Sequence, residues 1–140
     1  MARKWNTICC PVDFSDQTRT ALGVAADLCG RLGSSLVLLH VDGPGKVAEE
    51  LAGKEPVDAA LARWKAEAQR LGAKEVTVRR VEGQPELAIV DFAAANGVDL
   101  LVMGTHGRLD REKMLAGSVT EGVARNAGCP VLTVHPGDAG

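Results

Sequence analysis

Residues 99–118, DLLVMGTHGRLDREKMLAGS, indicate both the class of fold and the place of a binding site. The stretch begins with an apolar run at 100–103 that is short and sharply bounded, as is typical of a buried strand. Gly104 and Gly107 break this strand, and Gly117 and Ser118 open a segment whose apolar residues recur at helical spacing. The stretch therefore predicts a strand, a glycine-rich loop and a helix, in that order.

A glycine-rich turn between a strand and a helix is a place where backbone N–H groups can converge on a phosphate. Glycine lacks Cβ and admits close approach, while the helix N-terminus adds unpaired donors and the positive end of the helix dipole. Ser118 and Thr120 place hydroxyl groups at this helix start, and the loop carries Arg108, Arg111 and Lys113. These cations could neutralise phosphate charge, although loop charges are more often simply solvated.

The spacing G-x2-G-x9-G-S from Gly104 to Ser118 resembles the nucleotide-binding signature of the universal stress protein family. The resemblance extends over nearly the whole chain. The first strand ends in PVDFS at 11–15, the second ends in LHV at 39–41, and GQP at 83–85 precedes the third helix. The closing segment, GSVTEGVARNAGCPVLTV at 117–134, is similar to the last helix and strand of the family. The sequence thus looks like a member of the nucleotide-binding branch of this family.

Strand and helix patterns alternate along the chain as βαβαβαβαβ, which predicts an α/β fold with an open parallel sheet and helices on both faces. The resemblance implies five strands in the order 3-2-1-4-5, with strands one and four side by side where the winding direction changes. Ligands in such sheets bind beyond the carboxyl ends of the strands at that point. We expect residues 1–140 to form a single nucleotide-binding domain with a flexible tail at 136–140.

Composition and charge argue against several classes of protein. A net charge of −2 argues against a nucleic-acid binder. No apolar run approaches the ~20 residues of a membrane span, and the first residues lack the apolar segment of a signal peptide. We therefore expect no membrane association and a cytoplasmic location. The cysteines at 9, 10, 29 and 129 lack metal-ligand spacing and are expected to be small buried apolar residues.

Helical periodicity predicts which side chains are buried. Trp64, on the second helix, is expected in the core rather than against a ligand. The third helix, predicted over 86–95, is expected to bury Leu87, Val90 and Ala94 on one stripe. The alternating segment 75–81 predicts a less buried strand near one side of the sheet.

Asp13 directly follows the first strand, where its carboxylate could accept hydrogen bonds from nucleoside hydroxyls or an exocyclic amine. On its own it could equally cap the first helix or make a turn, and the motif PVD favours nucleoside contact. Val41 resembles the family position that meets adenine through its backbone. Met103 either lines the sugar pocket or is a core residue.

The glycines and the start of the fourth helix complete the expected site. Gly104 and Gly107 are expected to admit ribose and phosphate, and Gly117 to let the β- and γ-phosphates reach the helix start, where Ser118 is a phosphate ligand as well as a helix cap. The alternative is that the glycines merely make turns. The full expected nucleotide-binding set is Asp13, Val41, Met103, Gly104, Gly107, Arg108, Gly117, Ser118, Val119 and Thr120.

The histidines are not assigned catalytic roles. His106 lies between two loop glycines and is expected to face solvent, His40 is expected to be structural, and His135 is expected to be exposed. No catalytic residue and no protein-bound metal ion are assigned. The resemblance implies ATP, or ADP or AMP, as ligand, and Mg²⁺ would be held through the phosphates.

The resemblance implies an ATP-binding regulatory homodimer of the stress response, acting on an unidentified protein partner. Its two copies would pair through the last strand, Val131, Leu132, Thr133 and Val134, because an uncovered apolar edge strand is an aggregation hazard. Two alternatives stay open. One is a slow ATP hydrolase or phosphotransferase, and the other is a dimeric interaction protein that binds no nucleotide.

Overall fold

A computed structural model of the protein describes residues 5–43, 56–105 and 118–135. All neighbouring strands are parallel, and the sheet has the order β3-β2-β1-β4-β5, so the predicted fold class and strand order are confirmed. The elements in chain order are β1 (Thr7–Pro11), α1 (Asp16–Leu32), β2 (Ser35–Asp42), α2 (Val57–Arg70), β3 (Val76–Glu82), α3 (Pro85–Ala95), β4 (Leu100–Gly104), α4 (Ser118–Asn126) and β5 (Val131–Val134).

The central strand β1 is tied to β4 by the side chain of Asp99. Asp99 Oδ2 accepts hydrogen bonds from the backbone N–H groups of Asn6 at 2.9 Å and Thr7 at 3.0 Å. The backbone N–H of Asp99 donates in turn to the Thr7 carbonyl at 2.8 Å. Because these bonds join the starts of the two strands, they help to set the register that brings the opposite ends together.

The two faces of the sheet are covered by different helices. Cys10 points to the face covered by α1 and α2, where it packs in one core with Leu22 and Trp64. Its neighbour Cys9 points to the opposite face, covered by α3 and α4, and packs with Phe92 and Val123. Helices on both faces are what a parallel sheet requires, since neither face can be left in water.

The cysteines behave largely as the sequence predicts. Cys9, Cys10 and Cys29 are buried, whereas Cys129 is only half-buried. Within the described residues, no group of His, Cys, Asp and Glu side chains is arranged to hold a metal ion. None of the helices in the described ranges is long and apolar enough to cross a bilayer.

Helix α1 begins at a serine N-cap and ends at a glycine C-cap. The Ser15 side chain accepts from the Thr18 N–H at the N-cap, and Gly33 takes the left-handed conformation, φ 72°, at the C-cap. Gly30 lies inside the helix, three residues before this cap. A Cβ on Gly30 would lie 2.8 Å from the Gly72 carbonyl oxygen, so this glycine allows close packing rather than ending the helix.

The predicted buried stripe of α3 was wrong. Leu87 is 56% exposed, whereas Ile89, Phe92 and Ala93 are buried against the sheet. The helix, PELAIVDFAAA, is apolar on nearly every side, so periodicity alone does not determine which stripe faces the sheet.

The expected core role of Trp64 is confirmed. It is 2% exposed and contacts the Phe14 ring edge-on, with the ring centroids 5.4 Å apart. The Arg19 guanidinium lies 4.9 Å from its ring centroid. On β3, the predicted alternation is present at Val76, which is buried, and Thr77, which is exposed. Within the described ranges β3 pairs only with β2, so it lies at one side of the sheet as predicted.

Candidate functional site

A cavity of about 190 Å³ opens at the carboxyl ends of three neighbouring strands. Its volume is several times the ~30 Å³ that one water molecule occupies in the liquid, so it has room for more than an isolated water. The lining comes from the ends of β1, β2 and β4 and from the amino-terminal parts of α1, α3 and α4. The lining residues are Pro11, Val12, Asp13, Thr18, Leu39, His40, Val41, Pro85, Ile89, Met103, Gly104, Val119 and Thr120.

The structure brings together six residues of the expected nucleotide-binding set. They line the cavity from four different elements or their ends, and they are Asp13, Val41, Met103, Gly104, Val119 and Thr120. Gly107, Arg108 and Gly117 lie outside the described residues, and so does the side chain of Ser118, whose backbone begins α4. The expectations for His106, Arg111, Lys113 and the 136–140 tail also fall outside them.

The Asp13 carboxylate is fixed by the first turn of α1. Its Oδ1 accepts hydrogen bonds from the Ser15 N–H at 2.9 Å and from Thr18 Oγ1 at 3.1 Å. The turn role that the sequence left open for Asp13 is therefore present. Asp13 is nevertheless exposed and lines the cavity, and no residue in the described ranges donates a hydrogen bond to its Oδ2.

Gly104 is required by packing at the end of β4. A Cβ on this residue would lie 2.9 Å from the Gln17 carbonyl oxygen in the first turn of α1. Its own carbonyl accepts a 2.6 Å hydrogen bond from Thr120 Oγ1. The next residue, Thr105, is buried, and its hydroxyl has no partner among the described residues. Gly104 thus joins three elements around the cavity.

Met103 and Val41 each pack in the core and also line the cavity. Met103 is 4% exposed and packs in the core beneath α3 and α4, yet it also lines the cavity. Val41 is half-buried, packs against the same core and lines the cavity from β2. Core packing therefore holds both side chains in place at the cavity wall.

His40 has the structural contacts predicted for it. Its Nδ1 lies 2.9 Å from the Val12 carbonyl oxygen, and its Nε2 lies 3.4 Å from Asp42 Oδ1. Its ring stacks on Phe14, with the centroids 5.0 Å apart. Phe14 has φ 65°, in the left-handed region that few residues with a side chain adopt, and its packing between His40 and Trp64 holds it there.

Asp42, which faces His40, belongs to an ion-pair network with Arg80 and Asp58. Arg80 on β3 donates from Nε to Asp42 Oδ2 at 2.5 Å and from a second nitrogen to Asp42 Oδ1 at 3.2 Å. It also reaches Asp58 Oδ1 at 3.2 Å. The hydrogen bonds to Asp42 raise the pKa of the Arg80 guanidinium. Because Asp42 is buried, the pairing with Arg80 offsets the cost of removing the Asp42 carboxylate from water.

The described part of the cavity wall carries one carboxylate, that of Asp13, and no Lys or Arg side chain. His135, as predicted, is exposed. Seven lining residues were absent from the expected set, namely Pro11, Val12, Thr18, Leu39, His40, Pro85 and Ile89. Thr18 could have been found, because it lies five positions after Asp13 in the first turn of the helix that follows. The other six are placed by the sheet register and by the packing of α3.

A parallel sheet of this order, with a cavity where the winding direction changes, defines a doubly wound α/β protein with its cavity at the usual ligand position of this class. The model of the Universal stress protein family matches residues 4–135. The chain therefore belongs to the universal stress protein family.

Individual relatives agree with this assignment. A universal stress protein of Methanocaldococcus jannaschii, MJ0531, is 42% identical over 101 residues, which are 72% of this chain and 58% of that relative. The structure of the hypothetical protein MJ0577 has a TM-score of 0.83 at 30% identity, and the alignment covers 97% of this chain and 99% of that one. A second universal stress protein of Methanocaldococcus jannaschii carries the same name, MJ0577. A universal stress protein in complex with cAMP has a TM-score of 0.80 at 27% identity, with 95% of this chain and 99% of that chain covered.

Proposed function

We propose that this universal stress protein binds an adenine nucleotide in the cavity at the ends of β1, β2 and β4. ATP is the expected ligand, with ADP and AMP as alternatives and Mg²⁺ held through the phosphates. In this proposal residues 1–140 act as one nucleotide-binding domain. Its bound state regulates an unidentified protein partner in a cytoplasmic stress response, and no catalytic residue is assigned.

The observation that carries the proposal is the meeting of Asp13 and Gly104 in one cavity. Asp13 follows β1 and Gly104 ends β4, and the two residues are 91 positions apart in the sequence. The spacing that resembles the family signature begins at Gly104, and the PVD motif ends at Asp13. A relative of the same fold, 27% identical, is a universal stress protein in complex with cAMP, which supports an adenine nucleotide here.

The charges around the cavity favour one orientation of the bound nucleotide. The Asp13 carboxylate repels phosphate and accepts from hydroxyl or amine groups, so the nucleoside belongs near β1 and β2. The amino-terminal end of α4, with Val119 and Thr120 at the wall, offers backbone donors and the positive end of the helix dipole. The phosphates accordingly belong at the β4–α4 side.

Nucleotide identity is tested on freshly purified protein by mass spectrometry of what denaturation releases, followed by calorimetric titration with ATP, ADP, AMP and cAMP. We expect one of these nucleotides to bind wild-type protein and Asp13→Ala to bind it at least tenfold more weakly. The matched control is Asp27→Ala, since Asp27 is an exposed carboxylate of α1 that pairs with Arg31 at 2.9 Å, and it does not line the cavity. No released nucleotide and no heat at millimolar ligand would refute the proposal.

The binding proposal is distinguished from a slow ATP hydrolase by turnover. We expect wild-type protein that retains ATP to release phosphate no faster than a sample of Mg·ATP alone. Release clearly above that background, and lost in Asp13→Ala, would replace the regulatory binder with an enzyme.

The homodimer is proposed to form through β5. In the described ranges β5 pairs only with β4, and Leu132 is 38% exposed on it. We expect light scattering after size-exclusion chromatography to give a dimer that Leu132→Lys converts to a monomer. Leu71→Lys is the matched control, because Leu71 is 36% exposed at the end of α2, away from β5. A wild-type monomer, or equal effects of both variants, would exclude this interface.

A further inference from the structure

Thr18 holds a position in the cavity wall that its place in α1 does not require. It is buried, 8% exposed, and its hydroxyl lies 3.1 Å from Asp13 Oδ1 and 3.1 Å from the Ser15 carbonyl oxygen. Its backbone N–H donates to Ser15 Oγ at 3.3 Å, which caps α1, and its hydroxyl lies 3.5 Å from the same oxygen.

A hydroxyl has one proton, so Thr18 can donate to only one of these three oxygens at a time, and the two at 3.1 Å are the nearer. The Ser15 carbonyl already accepts from the Arg19 N–H at 3.0 Å. A carboxylate is the stronger acceptor, because a hydrogen bond to an ionised oxygen is roughly twice as strong as a neutral one. The proton of Thr18 therefore belongs on Asp13 Oδ1.

Two donors on the same oxygen fix the orientation of the carboxylate. The Ser15 N–H at 2.9 Å and the Thr18 hydroxyl both reach Oδ1, and together they restrict rotation of the carboxylate. Oδ2 is then the oxygen left to accept from a ligand. An ionised carboxylate only accepts hydrogen bonds, so the matching ligand group is a donor such as a sugar hydroxyl or an amine.

We propose that Thr18 is a positioning residue of the ligand site, holding the Asp13 carboxylate so that Oδ2 receives a hydrogen-bond donor of the nucleoside. The inference rests on the proposed function and deepens it. Thr18 acts through Asp13, so its contribution to binding exists only while the Asp13 carboxylate is present.

The test is a double-mutant cycle with ATP as the probe, measured by calorimetric titration. Thr18→Val keeps the shape of the side chain and removes the hydroxyl, and Thr18→Ala removes the hydroxyl together with the γ-methyl group. We expect either to weaken ATP binding about five- to tenfold, the effect of one hydrogen bond, and Thr18→Ser to restore it. In an Asp13→Ala background, Thr18→Val should change the affinity less than twofold.

A matched control separates this role from helix stability. Thr20 lies in the same helix, and its hydroxyl donates to the Asp16 carbonyl at 3.2 Å, away from the cavity. We expect Thr20→Val to leave ATP affinity unchanged. Wild-type protein that binds no nucleotide defeats the proposed function itself. ATP binding that needs Asp13 yet is unaffected by Thr18→Val, or weakened equally in both backgrounds, overturns the positioning role alone.

Discussion

The side-chain hydroxyl of Thr120 donates a 2.6 Å hydrogen bond to the backbone carbonyl of Gly104. This bond joins the first turn of α4 to the last residue of β4, at the wall of the candidate cavity. Because the hydroxyl proton is used on the carbonyl, Thr120 in this arrangement presents only lone pairs to a ligand. Its role as a nucleotide ligand stays a prediction, while its role in holding α4 against β4 is visible.

Thr120→Val is expected to lower the free energy of unfolding by about 1–2 kcal/mol, because it leaves the Gly104 carbonyl without its side-chain donor. Urea denaturation followed by circular dichroism measures the change. Thr120→Ser retains the hydroxyl and should recover most of the loss. A valine variant as stable as wild type would mean that the bond contributes nothing net.

Gly104→Ala is expected to destabilise the protein by about 1–3 kcal/mol even without ligand, since its Cβ would lie 2.9 Å from the Gln17 carbonyl oxygen and backbone yields poorly. Gly128→Ala is the control, because a Cβ there meets nothing within 4 Å, and it should stay within about 0.5 kcal/mol. Thermal unfolding of the two variants and of the wild type measures the difference in stability. Equal melting temperatures for wild type and Gly104→Ala would contradict the steric cost expected from the contact with Gln17.

Gly104 and Thr120 show what the sequence could predict and what it could not. The G-x2-G-x9-G-S spacing drew attention to Gly104, which lines the cavity, but the spacing says nothing of the α1 turn that packs against it. Thr120 was recognised by its place at a helix start, whereas the direction of its proton depends on a partner 16 positions away. The local sequence pattern can identify such residues, but their contact partners are visible only in the folded structure.

The fold was predicted more completely than the side-chain packing. Alternating patterns predicted a parallel sheet, and the family resemblance supplied the strand order that periodicity cannot give. The buried face of α3 was missed because Leu87 and Ile89 are both strongly apolar, and only the way α3 packs on the sheet decides which is covered. The position of Thr18 in the first turn after Asp13 could have been noticed, but the sequence does not show that its hydroxyl reaches Asp13 Oδ1.

Two glycines of α1 should respond to alanine with opposite signs. A Cβ at Gly23 meets nothing within 4 Å, so Gly23→Ala should raise the free energy of unfolding by about 0.5–1 kcal/mol through helix propensity. At Gly30 the Cβ would lie 2.8 Å from the Gly72 carbonyl oxygen, and Gly30→Ala should lower it by about 1–3 kcal/mol. Paired urea titrations test the difference. The same sign for both would contradict the close contact at Gly72.

Stability should also fall at alkaline pH because three thiols are buried. Burial raises the pKa of the Cys10 thiol from 9.0 to about 12 and that of Cys29 from 9.0 to about 11. Burial, with a contribution from neighbouring Cys10, also raises the pKa of Cys9. Below pH 9 these thiols are protonated in the folded and the unfolded chain alike, so they add no pH dependence there.

Between pH 9 and about pH 11 the unfolded chain loses these protons while the folded chain keeps them. The unfolded state then binds fewer protons, so the free energy of unfolding decreases as pH rises, by up to about 1.4 kcal/mol per pH unit for each thiol. The chain contains no tyrosine, so phenol ionisation does not add to this slope. Urea unfolding under reducing conditions across this range measures it, and Cys29→Ala should flatten the slope by the share of one thiol. An unchanged slope in that variant would show that ionisation of Cys29 is not coupled to unfolding.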